Sequence, residues 1–287
     1  MINESKEHSG QGENSKTDLK LQDRLRSEAE FQNRRVLAEG DEPRDKFYYL
    51  VVDAYADYSA AVGTLAGKDV LVVGCSEGGV TPLARMGARV VGVDISDAAI
   101  ARLNNAISRE GLSELASVRV MNAEDLDFPA ESFDAIICTG VLHHLDIERA
   151  CRSWSRVLRS EGEVLMLEPL ALNPAAALYR LMTPSMRTPD EHPLLPRDFR
   201  LMRQWFGRVD FNAYAFLTFL SLPFAYIGNP WNLKERTRRL LAPVDRLLFR
   251  VLPPARHLAW TCFLRCGSPR LDGQVRHQTS HAPEEPM

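Results

Sequence analysis

Three histidines and one glutamate lie where a folded chain could bring them together for proton transfer. His143 and His144 follow the apolar run Phe133 to Cys138, and His192 lies beside Glu191 in a proline-rich stretch. Histidine suits proton transfer because its unperturbed pKa lies near neutrality. We therefore predict that a general base, if the chemistry needs one, is among these four side chains.

A glycine-rich turn and a carboxylate could bind a nucleoside. Gly74, Gly78 and Gly79 follow the apolar run Val70 to Val73, and glycines let the backbone approach a ligand closely. Asp94 ends the next apolar run, twenty positions after Gly74, where a carboxylate can accept hydrogen bonds from both hydroxyls of a ribose. The spacing favours a nucleoside site over the alternative of a purely structural turn.

A parallel sheet is needed to bring these groups to one edge. Short β-branched runs, typical of strands buried on both faces, alternate with helical periods along the chain. The alternation predicts an α/β fold: a doubly wound, Rossmann-like sheet of seven strands with helices on both faces, N-terminal helices and two lid insertions. Ligands of such a sheet bind at the carboxyl ends of its strands, where the glycine turn, Asp94 and the histidine pair fall.

Four sequence blocks in order carry a family resemblance. GCSEGG, VVGVDIS, NAEDLDFPAESFDAIICTGVLHHL and GEVLMLEP, between about Lys68 and Glu168, resemble the class I S-adenosylmethionine-dependent methyltransferases. The branch is the one that includes the ubiquinone and menaquinone methyltransferases. The resemblance implies S-adenosylmethionine as the cofactor and methyl transfer as the reaction.

The resemblance also implies roles for individual residues. It places Gly74, Cys75, Ser76 and Gly78 at the methionine end of the cofactor, Asp94 on the ribose, Ile95 against the adenine, Asn122, Ala123 and Glu124 at the adenine edge, and Thr139 and Val141 beneath the sulfonium. Two positions depart from the family pattern, which usually has an acidic residue in place of Val72 and a glycine in place of Ser76. Glu77 is a candidate for the missing carboxylate.

Composition narrows the classes of partner. The net charge of −3 and the pI near 6.2 argue against a nucleic-acid binder, whose domain is usually basic. The five cysteines form no paired framework, which fits a reducing cytoplasm, and no signal peptide is predicted. Cys262 and Cys266 lack a partner pair for a metal, so no metal site is predicted.

The order of elements predicts the following division of the chain, and the family resemblance implies that its N-terminal helices lie across the cofactor entrance. We expect a disordered tail over 1–20, N-terminal helices covering the cofactor entrance over 21–66, a cofactor-binding core over 67–168, a lid insertion over 169–196, a core helix and strand over 197–215, an apolar and basic helical insertion over 216–256, a last core strand over 257–266 and a disordered tail over 267–287.

The insertion 216–256 bears most on the methyl acceptor. The segment Phe211 to Leu233 has no charged side chain, and Trp231 to Leu252 then places leucines and valines at helical spacing among lysines and arginines. Pro223 and the short apolar run disfavour a transmembrane helix. Three interpretations stay open: a peripheral contact with the inner face of an anionic membrane, an apolar substrate cap, or a homodimer contact.

The predicted function is methyl transfer to a small molecule, most simply to oxygen of an apolar or lipid-linked acceptor. Transfer to nitrogen or carbon by the same class of enzyme is the first alternative. An NAD-dependent oxidoreductase, which shares the first half of the fold, is the second. A non-catalytic scaffold that kept the fold and binds a membrane or a partner is the third, and the departures at Val72 and Ser76 keep it open.

Overall fold

The computed structural model describes residues 7–38, 49–75, 79–184, 188 and 191–270. A seven-stranded sheet runs through the described part of the chain in the order β3-β2-β1-β4-β5-β7-β6. Its strands are β1 Asp69–Val73, β2 Arg89–Asp94, β3 Ala116–Val120, β4 Phe133–Thr139, β5 Leu158–Pro169, β6 Phe206–Tyr214 and β7 Thr261–Pro269. The first five strands are parallel, and β7 lies antiparallel between β5 and β6.

Helices cover both faces of the sheet, as the sequence predicted. They are α1 Glu7–Ala38, α2 Val52–Val62, α3 Val80–Arg85, α4 Asp97–Arg109, α5 Ile147–Val157, α6 Pro174–Met182, α7 Pro196–Trp205, α8 Leu222–Tyr226 and α9 Leu233–Val251. Trp154 of α5 and Phe199 of α7 lie in the hydrophobic core on one face. Leu83 of α3 and Leu103 of α4 lie in the core on the other face. The predicted doubly wound α/β architecture is confirmed.

Strand register explains why chemistry-bearing residues meet at one edge. Val73, at the end of β1, pairs with Val93 on one side and with Cys138 on the other. The residues that follow these three positions therefore leave the sheet at the same level. Because the strands are parallel and buried, the edge is formed by backbone turns and polar side chains rather than by core packing.

The first helix begins earlier than the sequence analysis predicted. Residues 7–20 were assigned to a disordered tail, but α1 starts at Glu7. No proline interrupts the segment, so a helix nucleated further along the chain can extend through it without a strong stop. The next helix, α2, begins at Val52, within the range 21–66 predicted for the N-terminal helices; residues 39–48 lie outside the described part of the chain.

The last strand is displaced from its predicted bounds. It was placed over 257–266, but β7 runs from Thr261 to Pro269, and His257 lies in a short 3-10 helix over Pro253–Leu258. Two prolines open that helix, and proline cannot donate a hydrogen bond to a central strand. At the other end, Gly267 pairs with both β5 and β6, which extends the strand into the predicted tail. Residues 271–287 of that tail lie outside the described residues.

The two insertions each contain helical structure. The segment 169–196 contains α6 and is closed by a parallel bridge between Leu170 and Leu194. The segment 216–256 contains a short 3-10 helix over Leu217–Ser221, followed by α8 and α9. Of the helices in the described ranges, none combines the length and apolar character needed to cross a bilayer.

Candidate active site

A cavity of about 200 Å³ opens at the carboxyl edge of β1, β2 and β4. Nine of the residues predicted to bind the cofactor line it: Gly74, Cys75, Asp94, Ile95, Asn122, Ala123, Glu124, Thr139 and Val141. Ser76 and Gly78, also predicted to bind the cofactor, and Glu77 lie outside the described residues. The cavity thus lies where the strand and turn pattern placed it.

Gly74 allows the backbone to pass close to the next strand. Its φ is +80°, in the region that favours glycine, and a Cβ added there would lie 2.3 Å from Cγ2 of Val141. No side chain fits this position without displacing Val141. The glycine therefore fixes the shape of the cavity floor between β1 and β4.

Asp94 faces the cavity and is held by the backbone on both sides. The N–H of Cys75 donates to Oδ2 at 2.7 Å, and the N–H of Ser96 donates to Oδ1 at 2.8 Å. Burial raises the pKa of Asp94, and the hydrogen bonds from Ser96 and Cys75 oppose that shift. An ionised carboxylate offers about four lone-pair sites, so roughly two remain for hydroxyl donors in the cavity.

Helix α1 covers one side of the cavity. The periodicity of the sequence does not predict the contacts that hold the helix there. Arg24 donates to Oε1 of Glu124 at 2.5 Å and to the carbonyl of His144 at 3.2 Å. Further along the helix, Asn33 accepts from the hydroxyl of Ser96 at 2.6 Å. These polar contacts attach α1 to the loops after β2, β3 and β4, so side chains of α1 line the same space as the predicted cofactor residues.

Glu124, predicted at the adenine edge, is already engaged by protein groups. Besides Arg24, the backbone N–H of Asp146 donates to Oε1 at 2.9 Å. Its Oε2 is buried and has no hydrogen bond within the described residues, although Nε of Arg149 lies 3.4 Å away. The carboxylate therefore organises α1 and the start of α5 from one point at the cavity wall.

His143 forms a buried pair with Glu168. The spacing of the two residues in the sequence did not predict this pairing. Oε1 of Glu168 accepts from the backbone N–H groups of Val141 at 3.0 Å and Leu142 at 2.9 Å. Oε2 lies 2.7 Å from Nδ1 of His143, and Glu168 is 0% exposed. Since an ionised carboxylate only accepts, His143 donates through Nδ1 and neutral His143 carries its lone pair on Nε2.

His144 lines the cavity and faces a carboxylate of α1. Its Nδ1 lies 3.4 Å from Oε1 of Glu28 and 3.4 Å from the hydroxyl of Thr188. Burial alone would raise the pKa of Glu28, but hydrogen bonds from His144 and Gln32 outweigh burial and lower the pKa to about 2. Glu28 is therefore a fixed negative charge beside His144, held less closely than Glu168 is held to His143.

Of the four predicted proton-transfer residues, His144 lines the cavity, and His143, His192 and Glu191 do not. The backbone N–H of His192 donates to the carbonyl of His143 at 2.8 Å, which ties the lid to the histidine pair. Oε1 of Glu191 lies 4.0 Å from Nε2 of His143 and 3.5 Å from Arg180. One potential metal-ligating atom of each of His143, His144 and Glu191 lies within 4.8 Å of those of the other two. The absence of a metal site stays a prediction.

The fold and the cavity define a Rossmann-like α/β protein whose cleft lies at the carboxyl edge of the sheet. Residues 71–166 match a family described as a methyltransferase domain. Over these residues the chain resembles the class I S-adenosylmethionine-dependent methyltransferases. The predicted resemblance is confirmed.

Two curated relatives show how far the likeness extends in sequence. The phosphatidylethanolamine N-methyltransferase of Cereibacter sphaeroides is 32% identical over 127 residues, which are 43% of this chain and 63% of the relative. A ubiquinone biosynthesis O-methyltransferase of Xanthomonas campestris pv. campestris is 39% identical over 129 residues, covering 42% of this chain and 50% of the relative. The alignments thus cover less than two thirds of either relative.

A solved structure shares the fold across most of the chain. The geranyl diphosphate C-methyltransferase from Streptomyces coelicolor A3(2), described in complex with Mg²⁺, geranyl diphosphate and S-adenosyl-L-homocysteine, superposes with a TM-score of 0.56. The superposition covers 85% of this chain and 97% of that chain at 15% identity. At that identity the likeness concerns the fold alone.

Proposed function

We propose that this protein binds S-adenosylmethionine and transfers its methyl group to an oxygen of an apolar or lipid-linked small molecule. The observation that supports the proposal most is the cavity at the carboxyl edge of the sheet. It brings the carboxylate of Asp94, the backbone at Gly74 and the side chain of His144 to one space.

The residues present fit the cofactor in chemistry. Asp94 retains acceptor capacity for ribose hydroxyls after its two backbone hydrogen bonds. Gly74 leaves its backbone uncovered where any side chain would collide with Val141. Thr139 ends β4 and Val141 follows it in the cavity wall, and Asn122 and Ala123 follow β3. When bound, S-adenosylmethionine supplies a methyl group already activated by the sulfonium.

The protein's own part in the reaction is then positioning and proton removal. Holding two reactants in line supplies most of the acceleration in a transfer of this kind. For a hydroxyl acceptor, His144 is the histidine in the cavity wall that can take up a proton, and the ring of His143, held by Glu168, packs 4.3 Å from the ring of His144. Glu168 acts through His143 as a positioning residue, and Glu28 holds His144 in a similar way at longer range.

Two features support an apolar acceptor. Helix α6, in the lid, exposes Leu178, Leu181 and Met182. The second insertion is predominantly apolar before α9 begins. A ubiquinone biosynthesis O-methyltransferase and a phosphatidylethanolamine N-methyltransferase are among the curated relatives, so nitrogen stays the first alternative acceptor atom.

A thermal shift assay separates the proposal from its rivals. We expect S-adenosylhomocysteine to raise the unfolding temperature, because a ligand that binds only the folded state stabilises it, and we expect NAD to have no effect. Protection by NAD alone would favour an oxidoreductase. Failure of S-adenosylhomocysteine to protect at millimolar concentration would favour a non-catalytic scaffold.

The atom methylated is identified by product analysis. Incubation with isotopically labelled S-adenosylmethionine and paired acceptors that differ only in a phenol, an amine or an activated carbon should label the phenol. Label on the amine or the carbon alone would refute oxygen as the acceptor while leaving methyl transfer intact.

A further inference from the structure

We propose that α9 docks this protein onto an anionic lipid surface. The docking face is the outer stripe, which we define as Leu240, Val244, Leu247 and Val251. This inference concerns a surface remote from the cofactor residues and stands independently of methyl transfer.

The outer stripe is continuous and exposed. Its members are spaced four, three and four residues apart, and a helix with about 3.6 residues per turn places such positions on one side. Leu240 is 73% exposed, Leu247 is 62% exposed and Val251 is 74% exposed. Single exposed apolar residues need no explanation, but an aligned row of four marks an interaction surface.

The helix cannot turn the stripe inward, because its opposite face is anchored. Asp245 is buried and accepts hydrogen bonds from the backbone N–H groups of Leu217 at 2.8 Å and Thr218 at 3.2 Å. Phe249, one turn further along, lies in the hydrophobic core. Rolling α9 would break the carboxylate contacts and expose Phe249, so the outer stripe is held toward solvent.

The cations of α9 also differ between the two sides of the helix: some contact the protein, and others are exposed beside the outer stripe. Lys234 lies 4.6 Å from the centre of the Tyr49 ring, and Arg238 lies 3.4 Å from Asp53, so both are used within the protein. Arg236, Arg239 and Arg250 are exposed and form no ion pair with any residue that the structure describes. By helical spacing they lie along one flank of the outer stripe.

Charge decides between a lipid surface and a second copy of the chain. A twofold contact that packs two copies antiparallel through the outer stripe would bring the two arginine flanks to the same side, where like charges repel, and a parallel contact would leave both flanks without opposite charge. An anionic bilayer instead neutralises the arginines while its interface takes up the apolar row. Trp231, just before α9, is 82% exposed, and tryptophan favours the membrane interface.

The test is cosedimentation of the full chain with vesicles. One set contains phosphatidylcholine with phosphatidylglycerol, and the other contains phosphatidylcholine alone. We expect binding to the anionic vesicles, weakened by added salt and much lower on neutral vesicles. A triple change Arg236→Gln, Arg239→Gln and Arg250→Gln should lower the partition coefficient about 100-fold, since each cation near such a surface contributes roughly a fivefold step.

A second triple variant tests the apolar row, and a third is the control. Leu240→Ser, Leu247→Ser and Val251→Ser should lower binding at least about tenfold. The control changes Arg197, Arg200 and Arg203 of α7 to Gln, which removes the same charge from another helix and should leave vesicle binding as in the parent.

Two results would overturn the proposal. The first is that the parent protein stays in the supernatant with anionic vesicles, or that the arginine variant and the leucine and valine variant both sediment with these vesicles as well as the parent does. The second is a concentration-dependent dimer in analytical ultracentrifugation that the leucine and valine changes dissociate, which would assign the stripe to a second copy. The thermal shift with S-adenosylhomocysteine is measured on the same variants, so loss of vesicle binding and loss of the cofactor site are distinguishable.

Discussion

Replacing Asp94 by alanine should weaken binding of S-adenosylhomocysteine by roughly 10- to 150-fold. The carboxylate oxygens each accept one backbone N–H, from Cys75 at 2.7 Å and Ser96 at 2.8 Å. About two lone-pair sites remain for ribose hydroxyls. Hydrogen bonds to a charged group contribute about 1.5–3 kcal/mol. Since about 1.4 kcal/mol corresponds to a tenfold change in affinity, this range gives the expected loss of roughly 10- to 150-fold.

Isothermal titration calorimetry on the parent and on Asp94→Ala measures the effect directly. Because alanine also leaves the N–H groups of Cys75 and Ser96 without their acceptor, Asp94→Asn is a necessary companion. Asparagine retains one oxygen for the turn but loses the charge and one acceptor. Asp97→Ala is the matched control, since Asp97 is exposed and does not line the cavity.

The pH dependence adds an independent check. Burial raises the pKa of Asp94 above its usual value, so protonation removes acceptor sites at a higher pH than for an exposed aspartate. For the free protein, the stability linked to Asp94 is fully present below the unfolded pKa and is lost as the pH rises through the folded pKa. Ligand affinity should follow the opposite course and fall as the pH drops through that pKa. Unchanged affinity in Asp94→Ala, or affinity that improves in acid, refutes the assignment of Asp94 to the ribose.

Two further substitutions test the cavity and the histidine pair. Gly74→Ala should lower the free energy of unfolding, measured in urea, by more than Gly87→Ala does. Both glycines have positive φ, which costs a non-glycine residue about 1–2 kcal/mol. Of these two positions, only Gly74 would place a Cβ within 4 Å of a neighbour, Val141. Equal losses would remove the steric argument. Glu168→Gln should lower the methyl-transfer rate by up to about 10²-fold and leave S-adenosylhomocysteine affinity intact, because an amide nitrogen facing Nδ1 reverses the tautomer of His143, whose ring packs against His144. An unchanged rate would show that the pair of His143 and Glu168 does not position His144.

The sheet edge could be predicted from the sequence because each part of it has a local signal. A buried parallel strand is a short apolar run, and the residue that ends the run is also the residue at the ligand edge. Gly74, Asp94 and Thr139 each end or follow such a run. Register then brings them together without any further specific contact, since Val73 pairs with both Val93 and Cys138.

The contacts that attach α1 over the cavity have no comparable local signal in the sequence. Helix α1 is attached by Arg24 to Glu124 and by Asn33 to Ser96, and polar contacts between distant segments leave no period in the sequence. The same holds for His143 and Glu168, which are 25 positions apart and meet only because β4 and β5 are neighbours. Spacing identified each residue as capable of chemistry, but the pairing depends on the sheet order.

The cavity therefore has two sides of different chemistry. The strand side is set by apolar packing: Val141 packs against the core on one face of the sheet, and Gly74 passes close beside it. The α1 side is set by ion pairs and hydrogen bonds, such as that between Arg24 and Glu124, whose groups water can solvate when they separate. The floor of the site is thus held by core packing, whereas α1 is attached to it through polar contacts of side chains, namely Arg24 with Glu124, Asn33 with Ser96 and Glu28 with His144.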